Sequence, residues 1–351
     1  MNYYISEGST TGKYNASSKA REDADFIFNR FLYNIYNVET IRADHSNKYR
    51  KLYRMRIYLK NYYIFKKAIK KFKKNDTVIF QYPLKYPVLF FDKIIKKINK
   101  KGVKTIVLIH DLDSLRFLNM PRIKIEDATV LKQFSKVISH NEKMTEYLLE
   151  LGVKKHDVIN LEIFDYIIDE KIKKCEVKKG NEVIIAGNLS PEKAKYISKL
   201  NKIKNVNFGL YGIGYEPQEK DKNITYNGVF KPDELVSNLN GKFGLIWDGE
   251  STGSCDGIYG EYLKYNNPHK TSLYLVSNIP VIVWAKSAMA KFVIENNLGI
   301  VVDNLNELRI KMDGVNEEEY AKMLKNVEKI SLKLKRGKFL TEALKHIQKE
   351  E

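Results

Sequence analysis

The sequence predicts an α/β protein of two Rossmann-like domains facing a cleft, followed by a C-terminal helix. Short apolar, β-branched runs alternate with longer helical patterns along the whole chain, the mark of parallel sheets with crossover helices. The alternation lapses once, over the lysine-rich 171–180 stretch, and then restarts. A length of 351 residues is enough to give each half its own core.

In the first half, strands are expected near Tyr3–Ser6, Val38–Arg42, Thr77–Gln81, Lys104–His110, Lys136–Ser139 and Val158–Leu161. Helical periodicity falls between them at Ser17–Tyr33, Lys48–Phe72, Val88–Lys100, Glu126–Phe134 and Glu142–Leu151. The second half repeats the plan. Its strands read at Glu182–Ala186, Val206–Tyr211, Ile224–Tyr226, Phe243–Trp247, Val281–Trp284 and Ile300–Val302. Helices read at Pro191–Leu200, Asp233–Leu239, Thr271–Ser277, Ser287–Asn296 and Glu317–Lys333, with a last amphipathic one from Gly337 to Lys349. The expected domains are therefore 1–170, 171–336 and the helix 337–351.

Composition narrows the class. With 43% hydrophobic residues the chain is globular, not disordered. A formal net charge of +18 favours anionic partners: nucleotide sugars, anionic lipid or nucleic acid. Zinc-finger spacing and an RNP aromatic motif are absent, so a nucleic-acid partner is not expected. Cys175 and Cys255 make no disulfide framework and fit a reducing cytoplasm. The opening Met1–Ser6 reads as a strand and not as a signal peptide. No apolar run approaches the roughly 20 residues that span a bilayer. The expectation is a cytoplasmic protein, soluble or resting on the inner face of the cell membrane.

Ligands of open α/β sheets bind at the carboxyl ends of strands, so polar residues there carry the functional reading. The first strand opens into Glu7–Ser18, where Gly8 and Gly12 permit close backbone approach and Ser17 or Ser18 can cap a helix. Thr10, Thr11 and Asn15 are acceptor-side candidates; a flexible loop with an ordinary cap is the competing reading. This loop is neither a Walker A motif nor a dinucleotide fingerprint. His110-Asp111-Leu112-Asp113 ends another strand, and His110 or Asp111 can serve as a general base, against a plain Asx turn. Ala186-Gly187-Asn188 turns into a helix with Pro191 at its first position, so Asn188 can reach a phosphate or a uracil edge. Tyr211-Gly212 offers a ring to stack on a base, or merely a turn. Asp248 and Gly249 open a long polar loop, and long ordered loops tend to be functional.

The densest cluster is Asn266-Asn267-Pro268-His269-Lys270-Thr271, at a strand–helix junction. The asparagines supply amide donors, Pro268 stiffens the turn, and His269 and Lys270 offer cationic or neutral donors. A helix start at Thr271 adds partial positive charge. Simple capping explains Thr271 but not the polar density before it. The cluster points to an anionic ligand, a nucleotide diphosphate, and no Asp-x-Asp metal-binding pair lies near it. No metal and no cofactor beyond a donor substrate is expected.

A separate basic, tyrosine-rich helix covers residues 49–67. It reads as a peripheral contact with an anionic membrane, as a subunit interface, or as a solvated helix with a tyrosine-rich core face.

The run Trp247-Asp248-Gly249, then Gly260–Lys270, then Pro280-Val281-Ile282-Val283-Trp284 resembles a bacterial group of sugar transferases. That group includes β-galactofuranosyltransferases of surface polysaccharides and the second glucosyltransferase acting on serine-rich-repeat adhesins. The resemblance implies a GT-B-like fold, with the acceptor mainly on the first domain and a UDP-sugar mainly on the second. It also implies metal-independent transfer of galactofuranose or glucose to a glycan or glycoprotein acceptor, free or lipid-linked, often by a homo-oligomer. Ser17, Asn188, Tyr211, Gly212 and Asn266–Lys270 match the donor-contacting segments. The rival readings are a non-catalytic GT-B-like partner subunit, and an epimerase or mutase. The latter would need a Gly-x-Gly-x-x-Gly fingerprint, which the first loop lacks, or a Tyr-x-x-x-Lys pair placed for hydride chemistry, and Tyr262 is followed by Lys264, at the wrong spacing.

Overall fold

The computed structural model describes residues 1–7, 16–41, 50–116, 120–168 and 181–349. The chain forms two units. One comprises Met1–Thr11, Ala24–Leu161 and Thr341–Glu351, the other Gly12–Asp23 and Glu162–Leu340.

The first unit is built on strands β1 (Asn2–Ser6), β2 (Asn34–Asn37), β3 (Thr77–Tyr82), β4 (Lys104–Ile109), β5 (Lys136–Ser139) and β6 (Val158–Asn160), all parallel in the order β2-β1-β3-β4-β5-β6. Its helices are α1 (Ala16–Arg30, shared with the second unit), α2 (Arg50–Ala68), α3 (Phe91–Lys100), α4 (Asp113–Arg116), α5 (Pro121–Leu131) and α6 (Glu142–Glu150). The central strands are covered on both faces, which is why Ile106, Val107, Leu108 and Ile109 are all buried in one unbroken apolar run.

The second strand lies earlier than the expected Val38–Arg42. Leu32 takes a left-handed conformation (φ 64) and stops the preceding helix, so the chain enters the sheet at Asn34. Three of its four residues are exposed and it lies on a sheet edge, so the apolar signal of a central strand is missing.

The second unit carries β7 (Asn181–Asn188), β8 (Phe208–Ile213), β9 (Ile224–Tyr226), β10 (Gly241–Ile246), β11 (Val281–Trp284) and β12 (Gly299–Val302). The order β12-β11-β10-β7-β8-β9 is again all parallel. Helices α7 (Pro191–Ala194), α8 (Pro232–Asn238), α9 (Gly257–Tyr262), α10 (His269–Val276), α11 (Met289–Glu295), α12 (Leu308–Asp313), α13 (Glu317–Lys335) and α14 (Lys338–Lys349) complete it, with the end of α14 belonging to the first unit.

The expected helix Pro191–Leu200 is instead a single α-turn followed by 3-10 turns over Lys195–Lys202. The Tyr196 amide donates to the Gly249 carbonyl (3.2 Å), and the Gly249 amide donates to Lys193 O (3.1 Å). The loop after β10 thus captures the donor that an α-helix would use internally. That loop also contains α9, which the sequence reading left as irregular chain.

Each sheet has one place where successive strands depart in opposite directions. These are β1 beside β3 in the first unit and β7 beside β10 in the second. Such switch points open a crevice at the strands' carboxyl ends.

Candidate active site

At the β7–β10 switch point the strands part, and α10 fills the gap. The Tyr274 hydroxyl accepts from the Ala186 amide (2.7 Å) and donates to Leu245 O (3.4 Å), bridging strands that no longer pair with each other there. Its ring lies over Gly244, where an added Cβ would come within 2.3 Å of the ring. Glycine is required there because of this approach.

Docking α10 this way delivers Lys270 to the end of β10. Its ammonium donates to Asp248 Oδ1 (2.9 Å) and to Trp247 O (3.0 Å). Lys270 and Asp248 keep only 15% and 10% of their side chains exposed. Burial pushes the ammonium below the usual lysine range, and the Asp248 carboxylate opposes the shift. An ammonium has three donors. Two are used, and the third has no partner among the described residues. The positive charge of Lys193 adds to the depression of Lys270, and Lys193 has no carboxylate partner among the described residues. Lys193 is not among the residues the sequence singles out, although its place just after a strand–turn–Pro start is a signal.

The other predicted residues divide between floor and rim. Asn188 is exposed at the end of β7, and its Oδ1 accepts from the Ser190 amide (2.9 Å). Gly249 has φ 117, and an added Cβ would meet Asp256 O at 2.5 Å. Gly212 sits opposite Gly187 in the ladder, and an added Cβ would fall 1.8 Å from Gly187 O. Tyr211 departs from expectation: its ring is buried against Phe230 and its hydroxyl accepts from the Asn240 amide (3.3 Å), so it packs in the core instead of offering a stacking face. Ser17 lies in the first turn of α1, while Thr10, Thr11 and Asn15 lie outside the described residues.

Within 266–271 the roles also separate. The helix begins at His269, not Thr271, with Pro268 as its N-cap. Thr271 is fully buried in the first turn, so its side chain does not face a ligand. Asn267 is buried and donates to Glu162 O (2.8 Å), anchoring the segment that enters this unit. The Asn266 Oδ1 is buried without a partner among the described residues. His269 stacks on Tyr166 (centroids 4.9 Å, 26°). Burial, with the nearby Lys19 charge, pushes it down to about 4, so it is neutral at neutral pH. Among the two open possibilities for His269, the structure selects the neutral one.

In the first unit, the carboxyl ends of β1, β3 and β4 carry a hydrogen-bonded relay. Gln81 Nε2 donates to Asp25 Oδ1 (2.6 Å), Ser6 Oγ donates to Asp25 Oδ2 (3.1 Å), and Gln81 Oε1 meets His110 Nε2 at 2.6 Å. An ionised carboxylate only accepts, which fixes the Gln81 amide with its oxygen toward the imidazole. His110 Nε2 therefore carries the proton in this contact. Asp111, by contrast, is engaged by Arg116 Nη2 (2.7 Å). Asp113 begins α4, and burial raises its carboxyl. Gln81 and Asp25 escaped the sequence reading, although a glutamine within the buried run Ile79-Phe80-Gln81 was a signal. Among the described residues no group of three His, Cys, Asp or Glu is placed to hold a metal ion.

Two parallel Rossmann-like units with polar switch points match the GT-B fold. Solved structures agree on the fold: Anabaena HepE in complex with UDP and glucose aligns with a TM-score of 0.59 at 10% identity, over 99% of this chain and 98% of that one. Model matches to the N-terminal and C-terminal domains of the glucosyltransferase 3-like family cover residues 2–163 and 183–347. The chain belongs to that family. It is 34% identical to beta-1,6-galactofuranosyltransferase WbbI of Escherichia coli (strain K12) over 78% of this chain and 79% of the relative. It is 28% identical to glucosyltransferase 3 of Streptococcus gordonii over 77% and 78%. The protein is a glycosyltransferase, and the non-catalytic alternative is set aside.

Proposed function

We propose that the protein transfers a hexose, galactofuranose or glucose, from a UDP-sugar to a glycan or glycoprotein acceptor, free or lipid-linked, in surface polysaccharide or glycoprotein synthesis. The transfer inverts the anomeric centre and needs no divalent metal. The acceptor hydroxyl attacks the anomeric carbon, and the bond from that carbon to the β-phosphate oxygen breaks with its electron pair going to UDP. The hydroxyl proton passes to the His110 imidazole. Of the two candidate bases, His110 is favoured because Asp111 is held by Arg116. Gln81 and Asp25 position the imidazole.

The observation that carries this reading is the largely buried Lys270 ammonium at a switch point, with one donor uncommitted among the described residues and Lys193 beside it. It is suited to the charge that develops on a leaving diphosphate. Asn188 ends β7 and Gly249 follows β10 at the same switch point. The names of the relatives and the UDP-glucose complex of HepE support the donor class. A homo-oligomer at the cytoplasmic side belongs to the same proposal. Incubation with a panel of UDP-sugars and acceptors, with and without EDTA, tests it, with NMR of the product anomeric proton. Transfer abolished by EDTA and restored by a divalent ion would remove metal independence, and a retained anomer would remove inversion.

A further inference from the structure

Helix α2 buries one face and leaves an apolar row on the other. Ile57, Asn61, Phe65 and Ala68 are buried against the first unit. On the opposite face, Leu52, Met55, Leu59 and Tyr63 are 61%, 53%, 38% and 57% exposed. Their spacing of three, four and four residues places them along one side of the helix. The row continues through aromatic contacts, from Tyr63 to Tyr62 (5.4 Å) and from Tyr62 to Phe90 (6.0 Å). Phe90 is 50% exposed and sits in the left-handed region (φ 55), a conformation that costs a bulky residue about 1–2 kcal/mol. An exposed ring held at that cost is not an ordinary surface residue.

The flanks of the row are cationic. Lys51, Arg56, Lys60, Lys66 and Lys67 are all exposed, and Lys66 Nζ lies over both Tyr62 (6.0 Å) and Tyr63 (5.7 Å). The sequence has no Asp or Glu between Asp44 and Asp76. This charge pattern decides the occupant. A symmetric contact with a second copy would press the same cationic surface against itself, which like-charge repulsion opposes. Nucleic acid would satisfy the charge and leave the leucine and methionine row in water. An anionic bilayer surface satisfies both: its headgroups take the lysines, and its acyl boundary takes the Leu, Met and aromatic side chains.

We propose that the α2 face, extended by Phe90, docks the protein on an anionic lipid surface. The docking is independent of sugar transfer and rests on residues outside the candidate active site.

Full-length protein is floated with vesicles of phosphatidylcholine mixed with phosphatidylglycerol, and with phosphatidylcholine alone. Binding is expected only to the mixed vesicles and should weaken as salt rises. Leu59→Asp combined with Met55→Asp should lower affinity for mixed vesicles at least about tenfold. Replacing Lys51, Arg56 or Lys60 by Ala should lower it roughly fivefold each. Unchanged circular dichroism and UDP release with a soluble acceptor would show that the variants remain folded. Equal binding to both vesicle types, or none to either at low salt, overturns the proposal. So does wild-type oligomer that fails to bind vesicles and falls to monomer in light scattering on Leu59→Asp, because the face is then a subunit contact.

Discussion

Removing Lys270 tests the donor site, but the structure shows that the simple substitution mixes two effects. Lys270 and Asp248 form an ion pair at 2.9 Å with 15% and 10% of their side chains exposed. Lys270→Ala leaves the Asp248 carboxylate buried and uncompensated, which costs on the order of 3–5 kcal/mol. A domain stable by about 5–15 kcal/mol would survive this, but with a lower unfolding midpoint. Lost turnover in that variant would then report partial unfolding as well as lost catalysis. The informative variant is Lys270→Met with Asp248→Asn, which removes both charges at similar volume. Its urea unfolding free energy should stay within about 1–2 kcal/mol of wild type, because replacing both partners of a buried pair is often close to neutral. UDP release with saturating acceptor should still fall by roughly 100-fold to 1,000-fold, the usual loss when one preorganised donor to a developing oxyanion is removed. Turnover within about threefold of wild type in the stable double variant would refute the leaving-group role of Lys270.

Three further outcomes follow from the geometry. Gln81→Leu should cut kcat at least about tenfold with the KM for the UDP-sugar unchanged, and should displace the acid limb of the pH–rate profile, because His110 loses the acceptor that fixes its tautomer; an unchanged profile would leave Gln81 as packing only. His269 titrates at about 4 in the folded chain against about 6.5 unfolded, so its contribution to stability is present above 6.5 and is lost as pH falls toward 4. His269→Phe should therefore lose about 2 kcal/mol less stability than wild type between about pH 7 and pH 5, measured by urea unfolding at each pH. Gly244→Ala places a methyl 2.3 Å from the Tyr274 ring and should cost about 1–3 kcal/mol in chemical denaturation, with Lys270 displaced along with α10.

Strand identity was legible where both faces of the sheet are covered. Lys136–Ser139 and Val281–Trp284 match the structure residue for residue, and so does the edge strand Ile224–Tyr226, whose β-branched residues are readable without full burial. It failed at the edge strand Asn34–Asn37, which carries no buried run to read. Helices were legible where their ladders close internally, as in Glu317–Lys335. They were misread where another segment takes a backbone donor, as Gly249 takes the Tyr196 amide. At the candidate site, local sequence marked Asp248 at a strand end and Lys270 at a strand–helix junction. It missed Lys193, Gln81 and Asp25, because their meaning lies in partners far along the chain.

By itself, the sequence determined the class of the protein: two α/β halves, the strand ends that bear polar chemistry, and a cationic character suited to anionic ligands. Those follow from periodicity and composition, which are local. Only the tertiary structure decided what each polar residue does. Sheet order placed the β7–β10 gap, the Tyr274 wedge set α10 into it, and that docking brought Lys270 onto Asp248 while turning Thr271 into core; packing against Phe230 did the same for Tyr211. Likewise, the burial of one face of α2 decided which of its apolar residues were left outside among the lysines. The physical reason is common to both cases. A side chain's charge, exposure and hydrogen-bond partners depend on what packs against it, and residues distant in sequence supply that.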